Sequence, residues 1–271
     1  MNGAQPILQL QDVSLSFGGL TVVNDVSFAV PHGARVALIG PNGAGKTTVF
    51  NLISGVYAPD CGRILLNDTE ITAIPSRRRI ALGLSRSFQN IRLMPHLSVV
   101  DNVMLGQHAR NKDIGSLLKP LGRIWRSRAR QEAEARLKSF GLDLYPGEVV
   151  ANLPYGIRKK IEVVRALMSD PKLLLLDEPA AGLNPRETAN LKDFLAEISD
   201  RGVTIVVVEH DMGLVRGLCQ HTIVLNFGRK IYDGPTARVQ DDPTVLEAYL
   251  GRHYTTDAAP AGEKRRHDHV A

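Results

Sequence analysis

Two apolar runs in the second half of the chain have the length of buried strands. The first reads LLLLDE at 173–178 and the second reads TIVVVEH at 204–210, with the helical run ETANLKDFLAEIS between them. Nearly continuous apolar runs of this length are typical of parallel strands that are buried on both faces of a sheet. This part of the chain therefore predicts the strand, helix and strand of a parallel α/β sheet.

The N-terminal part has shorter runs with more polar positions. ILQLQDVSLSF, TVVNDVSFAV and ARVALIG are separated by Gly-Gly and Pro-His-Gly turn signals, which predicts antiparallel strands. From about residue 98 to 169 the pattern becomes helical, with VVDNVMLGQ and RQEAEARLKSFG as its clearest segments. PTVLEAYL, before Gly251, is the last predicted element.

The composition is that of a globular protein with a core of its own, since the chain has 271 residues and is 44% hydrophobic. No apolar run approaches the roughly 20 residues that a membrane-spanning helix needs. The N-terminus has no pattern of an export signal, so we expect a cytosolic protein. Cys61 and Cys219 are far apart without metal-like spacing, which favours free thiols over a disulfide framework.

A net charge of +5 suits an acidic ligand, a nucleic acid or a lipid headgroup equally well. Part of the excess lies in two clusters, 77–79 and 119–130. We interpret both as solvated faces, with contact to membrane phosphates or to an acidic partner surface as the alternative.

A glycine-rich segment, GPNGAGKT, follows the third predicted strand and opens a helix. It fits the G-x-x-x-x-G-K-[ST] pattern, in which backbone N–H groups and the helix N-terminus surround a polyphosphate. Lys46 would reach the terminal phosphates, and the hydroxyl of Thr47 would bind Mg²⁺. The predicted nucleotide-binding residues here are Gly40, Pro41, Asn42, Gly43, Ala44, Gly45, Lys46, Thr47 and Thr48.

Polar side chains end both long apolar strands. Asp177 is predicted to anchor Mg²⁺, while the adjacent Glu178 orients and polarises the attacking water. His210 ends the other strand, so in a parallel sheet it would emerge at the same edge and could bond a γ-phosphate. The alternatives are a solvated acidic turn and a structural histidine.

Together, GPNGAGKTT, LLLLDEP and VVVEHD resemble the nucleotide-binding subunit of ABC transporters. The resemblance implies an α/β fold of the P-loop NTPase class. An ABC cassette has a RecA-like, mostly parallel sheet core, an N-terminal antiparallel β subdomain and an inserted α-helical subdomain. The resemblance also implies that the protein is an ATPase that uses ATP and Mg²⁺.

The resemblance also gives a domain organisation. It predicts one cassette over 1–251, in which 7–90 and 168–251 form the catalytic core and 91–167 form the helical subdomain. The tail, 252–271, is small, polar and charged, and we predict that it is disordered.

Three further residues match parts of this family. Gln89, in RSFQN, matches the glutamine that touches Mg²⁺ and the attacking water and links the core to the helical subdomain. Asn184, in PAAGLN, lies in the loop that crosses the dimer, at a position where aspartate is commonest. Phe17 matches the aromatic residue that stacks on adenine, although an aromatic residue at the end of a strand could equally be part of the core.

The segment NLPYGIRKK stands where the family has LSGGQ, the signature that caps the ATP of the partner subunit. Its counterparts are Leu153, Pro154, Tyr155, Gly156 and Ile157, of which the first four are predicted to bind nucleotide. A helix is predicted from about Pro154, with Ile157, Ile161, Val164 and Met168 on one apolar stripe and Arg158, Lys159, Glu162 and Arg165 elsewhere. Pro154 removes a serine hydroxyl, so the signature should bind phosphate more weakly.

FGGL, RSFQNIRL, DEPAAGLNP, VEHDM and AYLG are similar to the ATP-binding proteins of branched-chain amino-acid importers, over nearly all of 7–251. The stretch between Gln107 and Gln131 resembles the longer of the two ATPases that these systems carry. The resemblance implies a second ABC ATPase subunit, either a sister chain or a second copy, two permease subunits and, indirectly, a solute-binding protein. It places the chain at the cytoplasmic face of the inner membrane, as a peripheral protein.

Other functions remain open to the same sequence. An ATPase of a lipopolysaccharide-type exporter has a closely similar cassette and differs in the permease it binds. A soluble ABC ATPase that acts on ribosomes or DNA is disfavoured by the single cassette and by the lack of an organised basic groove, so no nucleic-acid partner is expected. A small P-loop kinase is disfavoured because no acceptor-binding lid is evident.

Overall fold

The computed structural model describes residues 5–87, 93–109 and 122–250. Its strands are β1 (Pro6–Phe17), β2 (Leu20–Pro31), β3 (Arg35–Ile39), β4 (Cys61–Leu66), β5 (Thr69–Glu70), β6 (Leu84–Arg86), β7 (Leu173–Asp177), β8 (Thr204–Val208), β9 (His221–Asn226) and β10 (Arg229–Pro235). The helices are α1 (Lys46–Ser54), α2 (Ser76–Arg79), α3 (Val99–Met104), α4 (Gly122–Ser139), α5 (Tyr155–Leu167), α6 (Pro185–Asp200), α7 (Met212–Leu218) and α8 (Pro243–Leu250).

The described strands form two sheets. The first is antiparallel, with strand order β2-β1-β4-β5. The second has the order β10-β9-β3-β8-β7-β6, and its strands are parallel except for β10, which pairs with β9 in the antiparallel direction. The predicted N-terminal antiparallel strands and the mostly parallel core are both confirmed.

The two long apolar runs are β7 and β8, and every residue of both strands is buried. Because side chains alternate along a strand, β7 contributes to two apolar clusters. Leu174 and Leu176 belong to the cluster that includes residues of α5 and α6, whereas Leu173 and Leu175 belong to the cluster of the antiparallel sheet and α1. Burial on both faces explains why the sequence of these strands is apolar throughout.

The helix α5 begins where the sequence predicted, with Pro154 at its N-cap. Lys159 and Glu162 lie off the predicted apolar stripe, yet each is only 3% exposed. The helix packs against α3, α4 and α6, so more than one of its faces is covered. Buried charges of this kind need charged or hydrogen-bonding partners.

The predicted domain boundaries stay predictions. The helices α3, α4 and α5 fall within 91–167, yet their buried apolar side chains belong to one cluster with those of β7 and β8. Gln89 and the tail 252–271 lie outside the described residues, as do residues 119–121 of the basic segment 119–130. Among the described helices, none is long and apolar enough to cross a membrane.

Candidate active site

The glycine-rich loop 40–48 joins β3 to α1, as its sequence predicted. Two of its glycines are required by close backbone contacts. A Cβ on Gly40 would lie 2.1 Å from the carbonyl oxygen of Leu225, and one on Gly45 would lie 2.8 Å from that of Val22. Gly45 also has a φ of 99°, which side chains disfavour. The loop can therefore approach a ligand with backbone alone.

The N-terminus of α1 is open to an anion. Its N-cap, Gly45, makes no side-chain hydrogen bond to the helix, and the first turn has no acidic residue. The first N–H groups of a helix and its dipole favour negative charge. Asn42, Gly43 and Thr47 are exposed around this end, while Thr48 is half-buried and Ala44 is buried. The geometry suits a phosphate chain with an oxygen ligand, the hydroxyl of Thr47, beside it.

Lys46 is the first residue of α1 and folds back over the loop. Its Nζ donates to the carbonyl oxygens of Gly40 at 2.7 Å and Pro41 at 3.0 Å. Burial lowers the pKa of Lys46, and the charges of Glu178 and Asp177 oppose that change. The ammonium group thus lies at the mouth of the loop, close enough to two carboxylates to interact with them.

The carboxyl edge of the parallel sheet brings the predicted acidic and histidine residues together. Asp177 ends β7, and Glu178 follows it with a half-buried side chain. Nδ1 of His210, which comes shortly after β8, lies 3.9 Å from Oε1 of Glu178. His210 is exposed, so its ring is free to turn toward a ligand at this edge. The structure therefore places the three side chains at the carboxyl edge of the sheet, as the sequence predicted.

Sequence reasoning missed Arg86 as a partner of Asp177. Nη2 of Arg86 donates to Oδ2 of Asp177 at 2.7 Å, and the two side chains are only 9% and 8% exposed. Nη1 also donates to Oδ1 of Asn51 at 2.7 Å and to Oγ of Ser54 at 3.1 Å. Arg86 therefore connects the acidic strand end to the helix that follows the glycine-rich loop. The segment RSFQN gives no sign of this pairing, because Asp177 lies 91 positions further along the chain.

The signature counterpart lies at the N-terminus of α5. Pro154 is exposed, has φ −53° and ψ 148°, and offers no side-chain hydrogen bond to the helix. Its carbonyl oxygen accepts from the N–H of Arg158 at 3.1 Å. No acidic residue lies in the first turn of α5, so this helix end also presents N–H groups and a positive dipole. Leu153 packs against the apolar cluster behind it.

Tyr155 and Gly156 contact the loop that follows β7. A Cβ on Gly182 would lie 3.3 Å from Cε1 of Tyr155, so the ring covers that glycine. A Cβ on Gly156 would lie 3.1 Å from Oε1 of Glu187. Asn184 forms a capping box with Glu187, in which its Oδ1 accepts from the N–H of Glu187 at 3.0 Å. The side chain of Asn184 therefore caps the N-terminus of α6.

Phe17 ends β1 and is 45% exposed, so it is not part of the apolar interior. Its ring meets Tyr57 edge to face, with 5.2 Å between centroids and 70° between planes. The contact holds one edge of Phe17 and leaves much of the ring accessible. Its stacking on adenine stays a prediction, and so does the role of Gln89, which lies outside the described residues.

The chain is similar to known proteins over nearly its whole length. A family profile described as ABC transporter matches residues 23–181. The high-affinity branched-chain amino acid transport ATP-binding protein BraF of Pseudomonas aeruginosa is 39% identical over 252 residues, which are 92% of this chain and 99% of BraF. The corresponding protein LivG of Escherichia coli is 38% identical with the same coverage.

Solved structures agree with these relatives. The ADP conformation of MJ1267, an ATP-binding cassette of an ABC transporter, superposes with a TM-score of 0.81. It is 27% identical in sequence, and the match covers 92% of this chain and 100% of MJ1267.

Proposed function

Because the chain belongs to the ABC transporter family and is an ATPase of that family, we propose that it powers an importer of branched-chain or related amino acids. The observation that carries the hydrolytic part is the shared sheet edge, where Glu178 interacts with Lys46, the first residue of α1, and lies 3.9 Å from the ring of His210. The solute class rests on the names of the relatives BraF and LivG.

In the proposed reaction, the loop 40–48 and Lys46 hold the phosphate chain of ATP. Lys46 exchanges its two backbone acceptors for phosphate oxygens, which its flexible side chain permits. Glu178 orients and polarises the attacking water, and His210 donates a hydrogen bond to the γ-phosphate. The 3.9 Å between Nδ1 of His210 and Oε1 of Glu178 supports the proposal that both groups act at one reacting centre.

The residues present fit Mg²⁺, which prefers oxygen ligands and takes few of them from the protein when phosphates are bound. Thr47 offers a hydroxyl at the start of α1 and Asp177 a carboxylate at the end of β7. Gln89 is the further proposed ligand. When bound, the ion neutralises phosphate charge in the transition state.

The signature residues act on a second subunit in this proposal. Pro154, Tyr155 and Gly156 cap the ATP held by the loop of a partner ATPase, whose own signature caps the ATP held here. Asn184 lies in the segment that faces the partner across the dimer. Closure around ATP would move two permease subunits, so the chain acts as a peripheral protein at the cytoplasmic face of the membrane.

The hydrolytic proposal is tested by phosphate release from the purified chain with Mg-ATP, beside Glu178→Gln, with light scattering on both. We expect slow hydrolysis by the wild type. The variant should be inactive and should accumulate an ATP-dependent dimer, because it binds ATP without cleaving it. Equal hydrolysis by both proteins overturns the role of Glu178.

The import proposal is tested by uptake of labelled leucine in cells of the native host that lack this chain. Wild-type chain should restore uptake and Glu178→Gln should not, while uptake of labelled glucose serves as the control. Leucine uptake that is unchanged by the deletion rejects this solute. A defect in the outer envelope without an uptake defect would favour the exporter instead.

A further inference from the structure

Glu209 is a buried acid that the proposed mechanism does not use. It lies between β8 and His210 and is only 1% exposed. Its Oε1 accepts from the backbone N–H of Ala180 at 2.8 Å. Its Oε2 accepts from the backbone N–H of His210 at 3.1 Å and, more weakly, from that of Asp211 at 3.5 Å. One carboxylate therefore bonds the loop after β7 and the loop after β8.

The loop after β7 contains a strained residue. Glu178 has a φ of 47°, in the left-handed region that residues with side chains rarely adopt. Such a conformation persists only where the surroundings fix the backbone firmly. The N–H of Glu178 donates to the carbonyl oxygen of Val208 at 2.9 Å, and two residues later Ala180 donates to Glu209. Val208 and the adjacent Glu209 thus hold the backbone at Glu178 and at Ala180, two residues later.

The surroundings of Glu209 contain the charges that its burial requires. Burial raises the pKa of Glu209, while the N–H groups of Ala180, His210 and Asp211 and the charge of His210 oppose that change. Lys159, buried in α5, has its pKa lowered by burial, and Glu162, Glu209 and Glu178 oppose that change. The carboxylate is thus embedded among donors and a cation that favour its ionised form.

The geometry points to Glu209 as a positioning residue that fixes the backbone of Glu178 relative to the backbone of His210. Its Oε1 bonds the loop after β7, and its Oε2 bonds the loop after β8. The inference rests on the proposed function, in which Glu178 and His210 act on the same γ-phosphate and water. Because Glu209 is only 1% exposed, it acts through these two backbones rather than on the γ-phosphate itself.

Glu209→Gln tests the two-sided contact with little change in shape. An amide has one acceptor and one donor end, so its NH₂ group must face the N–H of either Ala180 or His210. One loop is then released. We expect kcat to fall about tenfold or more, the effect of losing a charged hydrogen bond, while KM for Mg-ATP stays within about twofold.

A double-mutant cycle separates positioning from general destabilisation. If Glu209 fixes Glu178 relative to His210, its effect requires the His210 side chain, so Glu209→Gln in a His210→Ala background should lower single-turnover hydrolysis by less than about twofold. If the loss of hydrolysis in the double variant equals the product of the losses in the two single variants, the assignment is overturned. Glu197→Gln is the matched control, because Glu197 lies exposed on α6 and pairs with Arg201. It should hydrolyse ATP like the wild type.

Glu209→Asp covers the case in which the glutamine variant does not fold. The aspartate keeps the charge beside Lys159, but its carboxylate is one methylene shorter and cannot bond both loops. It should also lose kcat with KM unchanged, and wild-type turnover in either folded variant overturns the inference. A wild-type chain that releases no phosphate would instead reject the proposed function, so the two failures are distinguishable.

Discussion

The two regions that are proposed to face nucleotide differ in how far their side chains are held by contacts within the chain. The phosphate face consists of 40–48, Asp177, Glu178 and His210, and its charged groups are held by contacts within the chain. The signature end consists of 153–156 and exposes Pro154 at a helix terminus without a side-chain hydrogen bond. In the proposed function, the first region binds phosphate within one chain, and the second becomes a site only against a second subunit.

The difference has a physical cause in the fold. Parallel strands bring their carboxyl ends to one edge, so residues far apart in sequence meet there without further loops. The signature end has only one helix terminus and its dipole, which supplies a fraction of a charge. The phosphate face should therefore dominate ATP binding by the isolated chain, and the signature end should affect mainly the closed dimer.

Glu178→Gln should have the largest effect on this comparison. A positioned general base contributes about 10²- to 10⁴-fold, so hydrolysis should fall by that range. Binding of Mg-ATP should persist, because Lys46 and the loop 40–48 are unchanged. Equilibrium binding of a fluorescent ATP analogue checks this. Lost binding in a folded variant would mean that Glu178 holds the nucleotide rather than the water.

Arg86→Met should break the internal support of the phosphate face. Removing one partner of a buried ion pair leaves the other charge unpaired, so the free energy of unfolding should fall by about 3–5 kcal/mol. Urea unfolding measures it. Arg130→Met is the control, since Arg130 pairs with Glu134 at the surface of α4 and should cost under about 1 kcal/mol. Equal losses in the two variants would contradict a special role for Arg86.

The sequence was sufficient for the features that depend on local pattern. The apolar runs located β7 and β8, and the strand ends then located Asp177, Glu178 and His210. Glycine spacing located the loop 40–48, because the local pattern of glycines determines the backbone conformation of the loop.

Pairs that depend on packing were not predictable. Arg86 and Asp177 are 91 positions apart, and only the neighbouring positions of β6 and β7 bring them together. The burial of Lys159 was not predictable either, because helical periodicity reports one apolar face, whereas α5 is covered on several. Glu209 ends an apolar run without any local sign that its carboxylate bonds another loop.

Pro154→Ser should reduce the difference between the two regions. The hydroxyl restores an N-cap acceptor for α5 or a donor to phosphate, and a hydrogen bond to a charged group is worth roughly tenfold or more. ATP-dependent dimerisation should therefore strengthen about tenfold, while ATP binding by the monomer stays unchanged. Analytical ultracentrifugation of the Glu178→Gln background measures the dimer.

The control for this change is Pro243→Ser, at the start of α8. It makes the same replacement at another helix start and should leave dimerisation unchanged. An unchanged dimer in Pro154→Ser would mean that the helix dipole and the backbone N–H groups already supply all the phosphate contacts of the signature end.

Phe17→Ala should have the smallest effect, because Phe17 is partly exposed and is proposed to contact only the adenine end of the nucleotide. Stacking of a base on an aromatic ring is worth about 1–3 kcal/mol, and the lower value corresponds to roughly fivefold. KM for ATP should rise by about that factor with kcat unchanged. Phe17→Tyr should restore it, because the ring and its edge-to-face contact with Tyr57 are kept. A fall in kcat at constant KM would instead place Phe17 in the coupling between the two regions, and the separation between binding by the phosphate face and closure by the signature end would fail.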